Sequence, residues 1–262
     1  MSLLHTITIL LLLGSRLSAE PTPQQEIKRG IALFKSNKFQ ASFSLLEPYA
    51  KQGYPQAQFT IGLLYDMGTI AKTDKRKAVF WYRKAADQGL PEAEYDMVVM
   101  YSKGEGIEKD LKKALAWYSK SALHGSKYAM YNLGVAYERG YGTEQNLSQA
   151  IQWYEKAAAL QMPKAAYNLA SLYYHGTKVP KDLTKAVRLY RQAAILGHTE
   201  AAFTLGYMLE QGLGTDKAPD KAMYWYKEAA INGHKPARKN LGLLLQKEGK
   251  QQEAAYWLER AQ

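Results

Sequence analysis

The chain has 262 residues, of which 23% are charged and 47% are hydrophobic, a composition that excludes global disorder. It contains no cysteine, which excludes a disulfide framework, a zinc knuckle and a thiol nucleophile. Lysine and arginine outnumber aspartate and glutamate by 35 to 24, a net charge of +11. This excess indicates either an anionic partner or a solvated basic face. We favour the solvated face, because many lysines recur opposite an apolar stripe.

Residues 1–19 have the layout of a secretory signal peptide. An apolar run at 7–13 is followed by small residues up to Ala19 and by a charged, proline-containing segment. The run is shorter than the roughly 20 apolar residues that span a bilayer. The first residues lack lysine and arginine, and Leu17 stands where a small residue is usual before cleavage. A buried cap helix and an uncleaved anchor are the alternatives; we expect export to the periplasm or beyond.

An aromatic pair recurs along the chain with a fixed period of 36 residues. Four copies are Trp81-Tyr82, Trp117-Tyr118, Trp153-Tyr154 and Trp225-Tyr226, and a fifth, Leu189-Tyr190, has leucine in place of tryptophan. A constant period of 20 to 50 residues is typical of stacked repeat arrays. The sequence therefore predicts one array of similar units.

The sequence pattern predicts two helices in each unit. In the unit containing Gly134, the row Ala129, Leu133 and Tyr137 has helical spacing, and Gly140 ends that helix. A short oxygen-bearing side chain is placed to cap the second helix of four units, at Asp74, Asp110, Asn146 and Asp182. The unit after Gly212 departs from this pattern, and there Pro219 is suited to the first helical turn.

Glycine recurs inside the first helices, at Gly62, Gly134, Gly206 and Gly242. Glycine in a helix interior costs about 1 kcal/mol relative to alanine. We therefore expect these glycines to make room for the aromatic pair of the neighbouring helix.

The predicted fold is therefore all-α: a right-handed α-solenoid (superhelix) of antiparallel helix pairs with a 36-residue period. After the signal peptide we expect a tetratricopeptide-like capping hairpin at 20–54 and a repeat array at 55–262. The predicted units are 55–90, 91–126, 127–162, 163–198, 199–234 and a C-terminal cap at 235–262.

The array resembles the Sel-one-like repeat (SLR) family, relatives of the tetratricopeptide repeats. A typical unit runs from Leu133-Gly134 through Gly140-Tyr141-Gly142 to Trp153-Tyr154-Glu155-Lys156-Ala157-Ala158. The resemblance covers about residues 55–262. It implies an adaptor or scaffold in protein complexes, often exported in Gram-negative bacteria. A cysteine-rich branch of the family is associated with penicillin binding, but nothing transfers from it to a chain without cysteine.

The sequence predicts no catalytic residue, no cofactor site and no metal site, so we expect a protein that is not an enzyme. The histidines at the ends of units, such as His198 and His234, are separated by packed helices and are expected to be polar surface residues. The glycine-rich fragments follow helices rather than strands, unlike phosphate-binding loops. The carboxylate pairs Glu92 with Glu94 and Asp66 with Asp74 are expected at exposed positions.

A second stripe of the first helices is the candidate partner site. One position on it is small and polar in every copy, and first helices line the inside of such arrays, where partners bind. Asparagine can donate to and accept from a peptide backbone, but the row could equally form a hydrogen-bond ladder that holds the units together. The candidate residues are Thr60, Asp96, Asn132, Asn168, Thr204 and Asn240 of this row, with Arg139, His175 and Tyr207 beside it.

These observations predict two alternative functions. The first is an exported, non-enzymatic protein that binds a protein or peptide through its concave face, as an adaptor, scaffold or regulator in the cell envelope. The alternative is a binder of the cell wall or an anionic polymer with hydrolytic, β-lactamase-like side activity. We expect no nucleic-acid partner, because the aromatic residues are used in the core. We expect membrane contact only by association, and a monomer.

Overall fold

The computed structural model describes residues 21–70 and 72–261, so the predicted signal peptide lies outside the described residues. Every regular element in those ranges is an α-helix. The predicted all-α fold of successive helix pairs is confirmed. The chain divides into two compact units, unit 1 ending at Glu108 and unit 2 beginning at Lys109. Within each unit, consecutive helices pack against each other.

Unit 1 contains a hairpin, one complete helix pair and the first helix of the next pair. Its helices are α1 (Pro23–Lys35), α2 (Phe39–Gln52), α3 (Pro55–Met67), α4 (Lys75–Ala86) and α5 (Pro91–Lys103).

Unit 2 continues the pattern to the end of the chain. Its helices are α6 (Leu111–Leu123), α7 (Lys127–Arg139), α8 (Leu147–Ala159), α9 (Pro163–His175), α10 (Leu183–Ile195), α11 (Thr199–Gln211), α12 (Pro219–Ile231), α13 (Lys235–Lys247) and α14 (Gln251–Glu259). From α3 onwards, odd-numbered helices are the first helices of their pairs and even-numbered helices are the second.

Side-chain caps fix where the second helices begin. The carboxylate of Asp182 accepts a hydrogen bond from the backbone N–H of Lys185 at 2.8 Å, and Asn146 caps α8 in the same way. Such a cap satisfies an N–H group that has no partner inside the helix. Asp74 and Asp110 cap α4 and α6, so the four predicted caps are confirmed. The α12 helix begins instead with Pro219, as predicted.

Tyrosine rings of the second helices lie directly against glycines of the first helices. A Cβ atom on Gly134 would lie 2.5 Å from Cδ1 of Tyr154, and one on Gly206 would lie 2.8 Å from Cδ1 of Tyr226. Both tyrosines are fully buried. An alanine at either glycine would therefore force the ring or the helix to move. The predicted role is confirmed at Gly62, Gly134 and Gly206, where tyrosine is the member of the aromatic pair that needs the space, but at Gly242 the neighbour is a leucine.

The tryptophans lie at the border of the core. Trp153 is partly buried, and Lys156 places its ammonium 4.2 Å from the centroid of the indole. Lys120 lies 4.0 Å from the ring centroid of Trp117. This geometry is that of a cation–π contact, which covers the outer face of the indole with a charged group. The rings of Trp117 and Trp153 are thus each covered on one side by a lysine.

The hairpins at the two ends of the array use leucine in place of the buried tyrosine. A Cβ atom on Gly30 of α1 would overlap Leu46 of α2, and one on Gly242 of α13 would lie 2.6 Å from Leu258 of α14. In both hairpins the glycine and the leucine are closer in sequence than a glycine and its tyrosine are in the central repeats. The end hairpins therefore keep the close helix approach but have a shorter connection.

Among the described helices, none has the length and hydropathy that crossing a membrane requires.

We predict that Gly134→Ala destabilises the protein by about 1 to 3 kcal/mol, the usual cost of overpacking a core. Thermal unfolding by circular dichroism measures the loss. The control is the same substitution in a Tyr154→Ala background, where the obstructing ring is gone and alanine's higher helix propensity stabilises α7. Equal stabilisation in both backgrounds would contradict the steric explanation.

Candidate functional site

The first helices of unit 2 form two clefts that contain five of the predicted site residues. The α7–α9 cleft, of about 290 Å³, brings together Arg139, Asn168 and His175. The α11–α13 cleft, of about 520 Å³, brings together Tyr207 and Asn240. The full linings are Glu138, Arg139, Asn168, Ser171, Leu172, His175, Thr177 and Lys178 for the first, and Tyr207, Glu210, Gln211, Asn240, Leu243, Gln246 and Lys247 for the second.

A buried tyrosine hydroxyl organises the base of the α7–α9 cleft. Tyr154 donates to Oε2 of Glu138 at 2.9 Å, and Nδ2 of Asn168 donates to the Tyr154 hydroxyl at 3.2 Å. Burial, together with the charge of Glu138, raises the pKa of Tyr154 above its ordinary range, so the hydroxyl keeps its proton. Lys178 donates to the other Glu138 oxygen at 3.0 Å. These bonds hold the cleft side chains in place.

The same arrangement recurs two repeats later, at the base of the α11–α13 cleft. Tyr226 donates to Oε2 of Glu210 at 2.8 Å, and Nδ2 of Asn240 donates to the Tyr226 hydroxyl at 3.2 Å. In both clefts the asparagine joins one repeat to the tyrosine of the repeat before it. The hydrogen-bond ladder therefore exists at Asn168 and Asn240. It uses one amide N–H and leaves the carbonyl oxygen of each asparagine for a ligand.

The threonines of the row are satisfied within their own helices. Thr60 is buried and donates to the carbonyl of Gln56 at 2.8 Å. Thr204 donates to the carbonyl of Glu200 at 2.9 Å. Asn132 is partly buried. A hydroxyl bonded to the preceding turn has no proton left to donate to a ligand, so the threonines are weaker candidates than the asparagines.

Asp96 occupies the asparagine position in unit 1 and changes its chemistry. The equivalent tyrosine, Tyr82, is fully buried, and its hydroxyl makes no hydrogen bond to a described residue. A carboxylate at 96 cannot donate to that hydroxyl as an amide does. Burial and the charge of Asp66 raise the pKa of Asp96 to about 6. The charge of Lys75 partly offsets this increase in the pKa of Asp96. The ammonium of Lys75 also forms an ion pair with Oδ1 of Asp66 at 2.6 Å.

Two expectations about polar residues were wrong. Glu94 is fully buried, although it was expected on the surface with Glu92. It occupies the position of Gln58 and Ala166 in other repeats, both of which are buried as well. Asp66 is partly buried beside Lys75. The helical position, facing the preceding second helix, decides the burial more strongly than the polarity of the residue.

His198 and His234 were expected to be simple surface residues, but they cap helices. Nδ1 of His198 accepts from the backbone N–H of Ala201 at 3.3 Å, and Nδ1 of His234 accepts from Ala237 at 3.1 Å. His198 also stacks on Tyr167 with a centroid separation of 4.4 Å. Desolvation lowers the pKa of His198 below 6.5. The signal in the sequence was their position immediately before a first helix, where Ser126 caps α7.

Arg139, His175 and Tyr207 are exposed at their clefts. The guanidinium of Arg139 lies 6.0 Å from the ring centroid of Tyr141, and His175 meets the Tyr174 ring edge-on at 5.1 Å. Across the described residues, no group of three or more histidine, aspartate or glutamate side chains is arranged to hold a metal ion. The clefts thus offer hydrogen bonds, positive charge and aromatic surface.

The comparisons with known proteins agree with this architecture. The Sel1 repeat model matches residues 55–90, 91–126, 127–162, 163–198, 199–234 and 239–261. The chain belongs to the Sel1 repeat family. Proteins with Sel1 repeats generally mediate protein–protein interactions and are typically not enzymes. None of the curated proteins compared with this Sel1 repeat chain matches it significantly.

Two solved Sel1 repeat structures are similar over most of the chain. The c5321 protein of uropathogenic Escherichia coli, described as a protective antigen with an SLR fold, is 34% identical with a TM-score of 0.79. That match covers 91% of this chain but only 53% of the other, so this chain spans about half its length. A Sel1 repeat protein of Oxalobacter formigenes is 34% identical with a TM-score of 0.66, covering 90% of this chain and 96% of the other.

We predict that Asp96→Asn stabilises the protein at pH 7.5 by about 1 kcal/mol, after allowance for partial solvent screening. In the folded protein the pKa of Asp96 is about 6, above its ordinary value of 3.8. The folded state is therefore more stable when Asp96 is protonated, and this stability is lost as the pH rises through about 6. The gain from the amide should therefore shrink towards pH 4. Thermal unfolding of the variant and the wild type at pH 4 and 7.5 measures this difference in stability.

The matched control for Asp96 is Asn168→Asp, which places a carboxylate beside Glu138 and should destabilise the protein at pH 7.5. If Asp96→Asn leaves the melting temperature unchanged at pH 7.5, the assignment of Asp96 as a destabilising carboxylate is wrong.

We predict that the cap at His198 makes stability fall with acidification. Its folded pKa is lowered, so below pH 6.5 the unfolded chain binds a proton that the folded chain resists. Replacing the imidazole by a hydroxyl cap, in His198→Ser, should flatten the decline in melting temperature between pH 7.5 and 5. The difference should be about 1 kcal/mol, the value of a helix cap. His175→Ser, at an exposed residue that caps no helix, is the control and should leave the slope as in the wild type.

Proposed function

We propose that this Sel1 repeat protein is exported and, without catalysing a reaction, binds an extended protein segment along the first helices of unit 2. In this role it serves as an adaptor, scaffold or regulator in the cell envelope. Export is supported by the amino-acid pattern of residues 1–19.

The repeated Glu–Tyr–Asn arrangement is the observation that carries the proposal. Asn168 and Asn240 are each held by a buried tyrosine hydroxyl before any ligand arrives. A side chain already fixed in position loses little conformational entropy on binding. The two asparagines are separated by two full periods of the array. Two such acceptors at equivalent positions suit the regularly spaced N–H groups of an extended chain.

The two clefts differ in what they add to this backbone recognition. Arg139 and Lys178 give the α7–α9 cleft positive charge, only part of which Glu138 neutralises. In the α11–α13 cleft, Tyr207 and Leu243 are 40% and 43% exposed, so they offer apolar surface. The segment that fits best therefore carries an acidic side chain at the first cleft and an apolar one at the second.

Selection from a random peptide library tests this proposal. We expect the protein to select acidic–apolar peptides, and the variant Arg139→Glu/Leu243→Asp to bind them at least about tenfold more weakly in fluorescence anisotropy. Both side chains are exposed, and neither takes part in the hydrogen bonds of Tyr154 and Tyr226, so we expect the variant to fold. The control is Asn232→Ala, at an exposed asparagine on another part of unit 2. Equal affinity of the double variant and the wild type would contradict the proposed site.

A further inference from the structure

An exposed aliphatic residue recurs at the end of the second helices of unit 2. Leu123 is 80% exposed, Ile195 69% and Ile231 61%. These three residues are separated by one or two periods, and in the intervening repeat Leu160, next to Ala159, is 44% exposed. Single exposed apolar residues are common on protein surfaces, but an aliphatic residue at or next to the same position in four successive repeats forms a patterned surface.

A basic side chain precedes each of these aliphatic residues by three or four positions. The pairs are Lys120 with Leu123, Lys156 with Leu160, Arg191 with Ile195, and Lys227 with Ile231. Residues with this spacing lie next to each other on a helix surface, and Leu160 directly follows the last residue of α8. All four basic side chains are exposed. We call these eight residues the aliphatic–basic edge of unit 2.

Positive charge predominates along the edge. The segments 119–128, 155–164, 191–200 and 227–236 contain seven basic and three acidic residues, a net charge of +4. Two of the three acidic residues already have partners: Glu155 pairs with Lys185 at 3.3 Å, and Glu200 lies 3.1 Å from His234. The edge therefore offers aliphatic groups surrounded by a positive potential.

This pairing of chemistries favours one kind of partner. An anionic bilayer attracts lysine and arginine through its lipid headgroups and accepts aliphatic side chains at the boundary with the acyl chains. A soluble polyanion matches the charges but leaves the leucine and isoleucine side chains in water. We propose that the aliphatic–basic edge docks unit 2 on the surface of an anionic phospholipid bilayer. This surface is distinct from the clefts between the first helices.

Unit 1 shows that the fold does not require an aliphatic residue at this position. Asp87 stands there, one period before Leu123, at the end of α4. A polar residue is thus compatible with the end of a second helix. Substitutions at the edge should therefore change surface binding without unfolding the protein.

Vesicle flotation tests the proposal with the chain from Glu20, which keeps every described residue and lacks the apolar run at 7–13. We expect binding to vesicles made of phosphatidylcholine and phosphatidylglycerol in a two-to-one ratio, and none to phosphatidylcholine alone. Raising NaCl from about 50 to 300 mM should weaken binding several-fold, because salt screens the charges. Absence of binding to the anionic vesicles would overturn the proposal.

Two variants separate insertion from simple charge attraction. Leu123→Ser/Ile195→Ser/Ile231→Ser should lower the partition coefficient at least about tenfold, since each side chain contributes buried aliphatic area. Leu111→Ser, at an exposed leucine at the opposite end of α6, is the control and should bind like the wild type.

The second variant, Lys156→Gln/Arg191→Gln/Lys227→Gln, should also weaken binding and reduce its salt dependence. Circular dichroism verifies that each variant keeps the helical fold. If the serine variant binds anionic vesicles as well as the wild type, charge alone explains the binding and docking through the aliphatic side chains is wrong.

Discussion

The structure depends on the close approach of a tyrosine ring to a bare helix backbone. Tyr154 against Gly134 and Tyr226 against Gly206 leave no room for a Cβ atom on the first helix. This contact fixes the separation of the two helices in a pair and buries both rings completely. The leucines of the end hairpins make the same contact with the glycines of α1 and α13. The same position holds Val98 and Ala170 in the two remaining pairs, so the contact with glycine recurs in most pairs of the array rather than in all of them.

Burying a tyrosine also buries its hydroxyl, and the protein must satisfy it. A buried hydroxyl without a partner costs about 1 to 3 kcal/mol. Glu138 and Asn168 meet this requirement for Tyr154. The partners come from the first helices, so the core contact determines which polar residues line the clefts. Where Asp96 replaces asparagine, the Tyr82 hydroxyl makes no hydrogen bond to any described residue.

Unit 2 therefore presents two chemically different surfaces. The clefts of the first helices contain polar side chains held by buried tyrosines, which suits recognition of a peptide backbone. The ends of the second helices carry aliphatic side chains next to lysine and arginine, which suits an anionic lipid surface. Since different helices of each pair supply the two surfaces, the proposed peptide site and the proposed bilayer site do not share side chains.

The sequence by itself determined the helices, their period and most of their ends, and only the tertiary structure decided which side chains meet. The first set of features depends on local chemistry: a carboxylate three residues before an N–H, a glycine in the left-handed conformation, and an apolar row at helical spacing. The position of Asn168 and Asn240 was also found in this way, because a small polar residue recurs there once in every period. The sequence did not predict that Glu138, Tyr154 and Asn168 meet, because these residues lie on three different helices, α7, α8 and α9. The burial of Glu94 likewise depends on how one helix pair packs on the next. Periodicity specifies the face of a helix, whereas the pairing of polar atoms depends on distances between helices that no local pattern encodes.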